Sequence, residues 1–315
     1  MATKKPATPA KKAPAKKPAA KAPAKKPAAK KPAPAKEVAP APAPEAAAPA
    51  PLTNPTWETV QIARHPERPL FMDYLNAWDP AAIELHGDRL VADDPAMYAG
   101  LATIDGVPVV IVGHRKGRTT EEKIASRFGM ANPDGYRKAM RIMRLAEKFH
   151  LPIVSLVDTS GAFPGLDAEA RGQAEAIAKN LADMSVLKTP IVVVVTGEGG
   201  SGGALGIAVG DSILMLEHAI YSVISPEGCA SFLWRDGKMA PVAAEALKLT
   251  SGWLKKLGIV DKVIPEPKGG AHTAPAKAIE AVKKAILAEI KALQKLPVDE
   301  LVAKRYAKFA AMGRF

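Results

Sequence analysis

Residues 191–206, IVVVVTGEGGSGGALG, carry five consecutive branched apolar residues straight into a stretch with six glycines. A strand reading Ile-Val-Val-Val-Val has no polar side to turn toward water, so it belongs in a sheet covered on both faces. The glycines then strip side chains from the turn that leads into the next helix. Something must approach this backbone closely, and three chemistries meet that demand.

The first is dinucleotide binding. Gly197, Gly199 and Gly202 match G-x-G-x-x-G after a strand, and Glu217 stands 20 residues after Gly197 where a ribose-binding acid belongs. The helix, however, has to fit before the strand-like Asp211–Glu217, which is cramped for a parallel crossover. The second is a nucleophile elbow: Gly199-Gly200-Ser201-Gly202-Gly203 matches G-x-S-x-G, and Asp211 with His218 or Asp261 with His272 follow as candidate partners of an acyl hydrolase serine. Glycine on both sides leaves that serine without packing to fix its rotamer. In the third, the peptide itself is the reagent. First-turn N–H groups lack intrahelical acceptors and stabilise negative charge developing on a carbonyl oxygen, at roughly 2.7–4 kcal/mol per donor. Glycines there would admit the carbonyl. Close helix–strand packing also uses single glycines, but six in this stretch favour the third reading.

The surrounding pattern fits an α/β fold. AGLATIDGVPVVIVGH reads as a hairpin turning at Asp105-Gly106. PDGYRKAMRIMRLAEKF reads as a helix with Tyr136, Met140 and Met143 on its buried side and Arg137, Arg141 and Arg144 on another. LPIVSLVDT is a strand, SGAFPG a loop, and LDAEARGQAEAIAKNLADMSVLK one long helix burying Ile177, Leu181 and Met184. After the glycine loop come strands at SILMLE and AIYSVIS, a helical stretch APVAAEALKLTSGWLKKLG and a strand IVDKVIPE. The segment from Pro275 onward reads as solvated amphipathic helix. Alternating strands and helices imply a mostly parallel sheet.

Charge is distributed unevenly. Residues 1–51 hold 12 Lys and 2 Glu, a net of +10, which leaves only +2 of the chain's +12 for residues 52–315. That first segment is a Lys/Pro/Ala array, expected to be disordered because its prolines prevent helix and it has little to bury. Such a tail can hold nucleic acid or another polyanion by releasing counterions. A tail-defined polyanion binder is therefore the alternative class to an enzyme. The domain boundary is expected at residue 52, with one folded domain over 52–315. The single cysteine, Cys229, rules out a disulfide framework within the chain and fits a reducing, cytoplasmic setting. It reads as a small buried hydrophobe. No apolar run of about 18 residues is present to cross a membrane, and His114 and His272 lack companions at metal-ligand spacing, so no metal is expected.

Several longer motifs then occur in order: WETVQIARHPERP, GHRKGRTTEEKIASRFGM, DTSGAFPGLDAEARGQAEAIAKNL, GEGGSGGAL, YSVISPEGCASFLW and IPEPKGGAH. Together they resemble the carboxyltransferase alpha subunit of bacterial-type acetyl-CoA carboxylase, from about Trp57 onward. The resemblance implies a crotonase-like spiral of ββα units with flanking helices. It implies transfer of a carboxyl group from carboxybiotin, borne on a biotin carboxyl carrier protein and supplied by a biotin carboxylase, to acetyl-CoA, giving malonyl-CoA for fatty acid synthesis. The expected partner is a carboxyltransferase beta subunit, in an α2β2 assembly, which carries the family's zinc ribbon. The implied catalytic groups are the backbone amides of Gly202, Gly203 and Ala204, with Gly161 and Ala162 of SGAFPG as additional donors. Arg115, Lys116 and Arg118 at a strand end are candidates for the CoA phosphates or the partner; Arg137, Arg141 and Arg144 are others, with a solvated basic face as the alternative for both groups. Asp158 is expected to shape a turn. The motif for biotin attachment and the phosphate-binding loop of an ATP-using component are both absent from the sequence.

Overall fold

The computed structural model describes residues 54–313. The expected disordered tail, residues 1–51, lies outside them. The chain begins with α1 (Pro55–Ala63), whose first amides are capped by Asn54: its Oδ1 accepts from Thr56 and Trp57 N–H at 2.9 and 3.2 Å. α2 (Phe71–Trp78) and a short strand β1 (Ile83–Glu84) follow. Next comes the hairpin of β2 (Met97–Ile104) and β3 (Val107–His114), closed by Asp105 and Gly106 at φ 46° and 80°. Two left-handed residues at a two-residue turn match the strands' twist, and glycine takes the second at no steric cost.

α3 (Thr120–Ala125) and α4 (Pro133–Phe149) lead to β4 (Ile153–Thr159). α5 (Leu166–Ala170) and α6 (Gln173–Val186) lead to β5 (Ile191–Gly200), and α7 (Ser201–Leu205) to β6 (Ser212–Leu216). The remainder is β7 (Ile220–Ser222), α8 (Pro226–Trp234), α9 (Ala240–Leu247), α10 (Ser251–Lys256), β8 (Lys262–Ile264), α11 (Pro275–Leu293) and α12 (Val298–Ala311).

The strands form one sheet in the order β1-β2-β3-β4-β5-β6-β8. β1, β2 and β3 are antiparallel, and β3 through β8 along this path are parallel. β5 changes partner along its length: Val192–Val195 pair with β6, whereas Glu198–Gly200 pair with β7. Its apolar run is fully buried, as its composition requires. Alternation along β3 assigns the faces. Gly113 meets the Phe71 ring of α2, while Val112, paired with Ser155, lies on the face where Ser155 Oγ donates to the carbonyl of Ile207 at 2.5 Å.

Four expectations are corrected. The helix predicted from Leu166 to Lys188 is broken at Gly172, whose φ of 82° gives it a left-handed bend that separates α5 from α6. The stretch from Ala240 to Gly258 is likewise two helices, divided at Lys248 (φ 51°). The strand at AIYSVIS shrinks to three residues. The segment after Pro275 is not merely solvated: Ala278, Val282, Ile286 and Ile290, four residues apart, place one side of α11 in the core. In α12, Arg305 is 1% exposed, donating to Asp211 and to the carbonyls of Met184, Leu187 and Thr189.

Candidate active site

The carboxyl ends of β3, β4 and β5 come together, and there the glycine loop meets the SGAFPG loop. A Cβ built on Gly203 would lie 2.8 Å from Gly161 Cα and closer still to Gly161 C and Ala162 N. One on Gly200 would collide with Ser160, and one on Gly199 would reach the Tyr221 ring at 2.7 Å. Gly197 is filled by the Asp158 carboxylate at 2.5 Å, and Gly206 by the Tyr136 ring at 2.6 Å. The close neighbour of this backbone is therefore the rest of the chain. The expectation that the side chains are missing to admit a carbonyl fails at these positions; close packing, the blander alternative, accounts for them. Gly202 differs. Its Cβ would make an ordinary contact at 3.6 Å with Ile177.

The amides of Gly202 and Gly203 lie in the first turn of α7, where N–H groups have no intrahelical acceptor. The expectation for Ala204 is corrected: it stands four residues after the N-cap Gly200, whose carbonyl accepts its N–H as the first bond of the helix. The helix is anchored from behind through later carbonyls. Tyr136 Oη donates to the Gly203 carbonyl at 3.2 Å, and Asn180 Nδ2 to that of Gly206 at 2.9 Å. His114 lies on this same face of the sheet, fully buried. Its pKa is pushed down to about 3, first by burial and with a smaller contribution from the Lys116 charge, against the opposing influence of the Gly203 backbone. It is neutral at physiological pH. In the neighbouring loop the Gly161 amide is already engaged, donating to Thr159 Oγ1 at 3.1 Å, and Ala162 packs against Gly203.

Beside Ser201 and Gly202 runs a mostly apolar groove of about 390 Å³, walled by Leu205, Tyr221, Val223, Leu254 and Ile259. On the other side of β5 lies a polar pocket of about 260 Å³, lined by Arg64, His65, Lys116, Asp158, Ser160 and Glu198. Lys116 Nζ sits 2.7 Å from Asp158 Oδ1 and 3.1 Å from Glu198 Oε2. Arg64 joins Glu198 to Glu227 of α8, both at 2.6 Å. Burial opposes the charge on Lys116, but the two carboxylates outweigh it and raise its pKa. Burial likewise opposes ionisation of Glu198, and Lys116 and Arg64 reverse that, lowering its pKa.

The three basic residues expected at a phosphate are each paired within the chain. Arg115 reaches Glu84 at 2.7 Å, Arg118 pairs with Asp73, and Lys116 is held as above. Arg137 binds Asp88 and Asp134, Arg141 the carbonyls of His86 and Gly87, and Arg144 Asp183. All six are thus engaged within the chain, while Arg118 and Arg144 remain exposed. Asp158 does more than shape a turn, because it accepts both from Lys116 and from the Glu198 N–H at 2.9 Å. Sequence reasoning missed Arg64, Glu198 and Glu227. The signal for Glu198 was a lone charge at the end of an otherwise apolar strand.

The competing readings of the loop lose their partners. Ser201 is exposed at φ 48°, but Asp211 is bound to Arg305, Asp261 to Lys308, and His218 to Glu266, while the His272 ring stacks on His65 at 3.8 Å. For the dinucleotide reading, β6 does run parallel to β5 across the short connection, so length does not exclude it. The Glu217 carboxylate, however, accepts the Glu266 N–H at 3.0 Å. Cys229 packs among Ala230, Ala240 and Ala243, as expected of a small hydrophobe. Among the described residues no cluster of three metal-binding side chains occurs, and no helix is long and apolar enough to cross a membrane.

Comparison with known proteins gives a consistent picture. The chain is 59% identical over 259 residues to the acetyl-coenzyme A carboxylase carboxyl transferase subunit alpha of Geobacter sulfurreducens, covering 82% of this chain and 81% of that one. It is 55% identical over the same length to the protein of that name in Xanthomonas campestris, with the same coverage. Among solved structures, transcarboxylase 12S superposes with a TM-score of 0.55 at 21% identity, over 72% of this chain and 44% of the other. A Pseudomonas malonate decarboxylase hetero-tetramer superposes with a TM-score of 0.55 at 16% identity, over 67% and 85%. These likenesses establish the crotonase fold. The sequence profile of the acetyl co-enzyme A carboxylase carboxyltransferase-like family matches residues 51–313, and the chain belongs to that family.

Proposed function

We propose that this chain is the alpha half of a two-component, cytoplasmic carboxyltransferase. With a beta subunit, in an α2β2 assembly, it moves a carboxyl group from carboxybiotin on its carrier protein to the methyl carbon of acetyl-CoA, giving malonyl-CoA. The observation that carries this reading is the pair of first-turn amides at Gly202 and Gly203, with Gly202 itself lining the apolar groove.

The residues present suit biotin. Apolar walls match the faces of its bicyclic ring, amide donors match its ureido oxygen, and the groove volume of about 390 Å³ falls in the range of small-molecule sites. When bound, carboxybiotin supplies the carboxyl group and then a ureido nitrogen basic enough to take a methyl proton. The part of this chain is to bind, orient and stabilise. The amides of Gly202 and Gly203 donate to the oxygen on which negative charge grows, each worth roughly 2.7–4 kcal/mol of barrier. Because Tyr136 and Asn180 anchor α7 through the carbonyls of Gly203 and Gly206, the donors need no reorientation as the charge develops. The wall formed by Leu205, Tyr221 and Leu254 keeps water from the carboxyl group in transit. Donors for the thioester oxygen are assigned to the beta subunit. Exposed apolar side chains at Val223 in the groove and at Phe232 and Leu233 on α8 support a protein partner.

The test is co-purification with a beta subunit, followed by malonyl-CoA decarboxylation coupled to free biotin. Biotin-dependent formation of acetyl-CoA is expected from the complex and from neither subunit alone. Equal turnover without biotin would refute the assignment.

A further inference from the structure

We propose that Lys116 is a positioning residue that sets the spacing of the two loops of the site by holding Asp158 and Glu198 together at their roots. The inference rests on the oxyanion reading of Gly202 and Gly203 and extends it to a side chain outside the hole.

Asp158 precedes the loop that begins at Ser160, and Glu198 precedes Gly199 and Gly200. Between these roots the Lys116 ammonium, from the end of β3, contacts both carboxylates at 2.7 and 3.1 Å. The Glu198 N–H completes a triangle by donating to Asp158 Oδ1 at 2.9 Å. Gly197 has no side chain where the Asp158 carboxylate lies, so the two strand ends approach closely. A few residues on, Gly200 meets Ser160 and Gly203 meets Gly161 and Ala162. Any spreading of the triangle is therefore transmitted to the amides of α7. The lysine stem is itself confined, because a Cβ on Gly129 would stand 2.9 Å from Lys116 Cγ.

The two acids are not equivalent. Glu198 keeps a second cation, Arg64, which also binds Glu227. Asp158 is 4% exposed, and Lys116 is its one ion-pair partner among the described residues. Other ionisable groups around the triangle are Tyr74 of α2, the buried Arg68, His114 on β3, and His65, Arg118 and Lys123 on the pocket rim. Removing the ammonium strands Asp158 as a buried anion facing Glu198. Burial and a like charge both raise a carboxyl pKa. Asp158 then takes a proton as pH falls through the raised value, and the neutral carboxyl can donate to Glu198 and draw the loops together again. The wild-type triangle has no such dependence near neutrality, because its lysine pKa is raised.

The experiment uses the complex with the beta subunit and compares wild type, Lys116→Met and Lys116→Met/Asp158→Asn from pH 6 to 8. For Lys116→Met at pH 8, kcat falls about 100-fold, the loss typical of a misplaced group, while KM for acetyl-CoA stays within about twofold. Relative to wild type, at least about a tenfold recovery is expected at pH 6, and none in the double variant, which has no proton to gain. Thermal midpoints of the isolated chain give a readout independent of turnover: that of Lys116→Met rises toward wild type on acidification, and that of the double variant does not. A wild-type kcat in Lys116→Met, a loss borne by KM, or the same pH profile in both variants would overturn the proposal. If Lys116→Met fails to fold at pH 8, its refolding at pH 6 supports the stranded charge and failure at both pH values overturns it. Absence of transfer in the wild-type complex would refute the functional reading instead, and the thermal comparison would still decide the clamp.

Discussion

Substituting alanine at adjacent glycines should give opposite results, because the two positions face different neighbours. At Gly203 the new Cβ would stand 2.8 Å from Gly161 Cα, with Gly161 C and Ala162 N nearer still. Ordinary contact begins at 3.4 Å, so relief at the nearest atoms requires the loop to retreat by about 1 Å, and it is backbone rather than a flexible side-chain tip that has to move. Overpacking of this kind costs roughly 1–3 kcal/mol of stability. A shift approaching 1 Å among catalytic donors costs on the order of 100-fold in rate. At Gly202 the nearest atom is Ile177 Cδ1 at 3.6 Å, an ordinary contact, and alanine in place of glycine favours a helix by up to about 1 kcal/mol. Gly203→Ala should therefore lose about two orders of magnitude in kcat while still binding the beta subunit, whereas Gly202→Ala should stay within about fivefold of wild type. The assay is biotin-dependent malonyl-CoA decarboxylation, with thermal midpoints of both variants as control. Equal losses at both positions would refute the packing argument, since open access for a carbonyl would make the more exposed Gly202 the sensitive one.

Ser201→Ala should retain transfer within about twofold, since the candidate acids and histidines are bound elsewhere and only the amide chemistry remains; loss of all turnover would revive the elbow. Arg305→Ala should lower stability by about 3–5 kcal/mol, because it strands Asp211 and frees buried carbonyls. In that variant, urea unfolding should show the loss while kcat per folded molecule is unchanged. Glu266 should contribute to acid unfolding. Burial opposes its ionisation, but hydrogen bonds from His218 and Arg68 depress its pKa from 4.5 to about 2. Its contribution, about 3 kcal/mol, is present above pH 4.5 and is lost as pH falls toward 2. Unfolding free energies across that window should slope more steeply in wild type than in Glu266→Gln, and parallel slopes would refute the assignment.

Local periodicity made much of this fold legible. The Asp105-Gly106 hairpin and the limits of α4 stand where the pattern put them, because their signals lie within a few residues of one another. The breaks at Gly172 and Lys248 were missed, since each falls inside a continuous helical pattern and depends on a left-handed residue. Arg305 was unreadable as a core residue for a different reason. A long charged side chain on an amphipathic helix is ordinarily solvated, and its carbonyl acceptors lie more than a hundred positions upstream. At the site the glycines themselves were conspicuous, but what packs on them was not. Ser160, Gly161 and Ala162 are some 40 residues away, and nothing in either motif says that the two loops touch. Lys116 drew notice as a positive charge, and its carboxylate partners became visible only when β3, β4 and β5 were brought together.

The division of β5 between two neighbours ties the chemistry to an exact count of residues. Val192–Val195 are pinned by β6, and Glu198–Gly200 by β7, so the intervening Thr196 and Gly197 have no slack to absorb an added or deleted residue. Because strand side chains alternate, a single insertion there would turn Glu198 away from its lysine and carry the amides of α7 to the wrong side. A family built on this strand can vary freely in its surface helices, but it is expected to keep the same length between these two pairings.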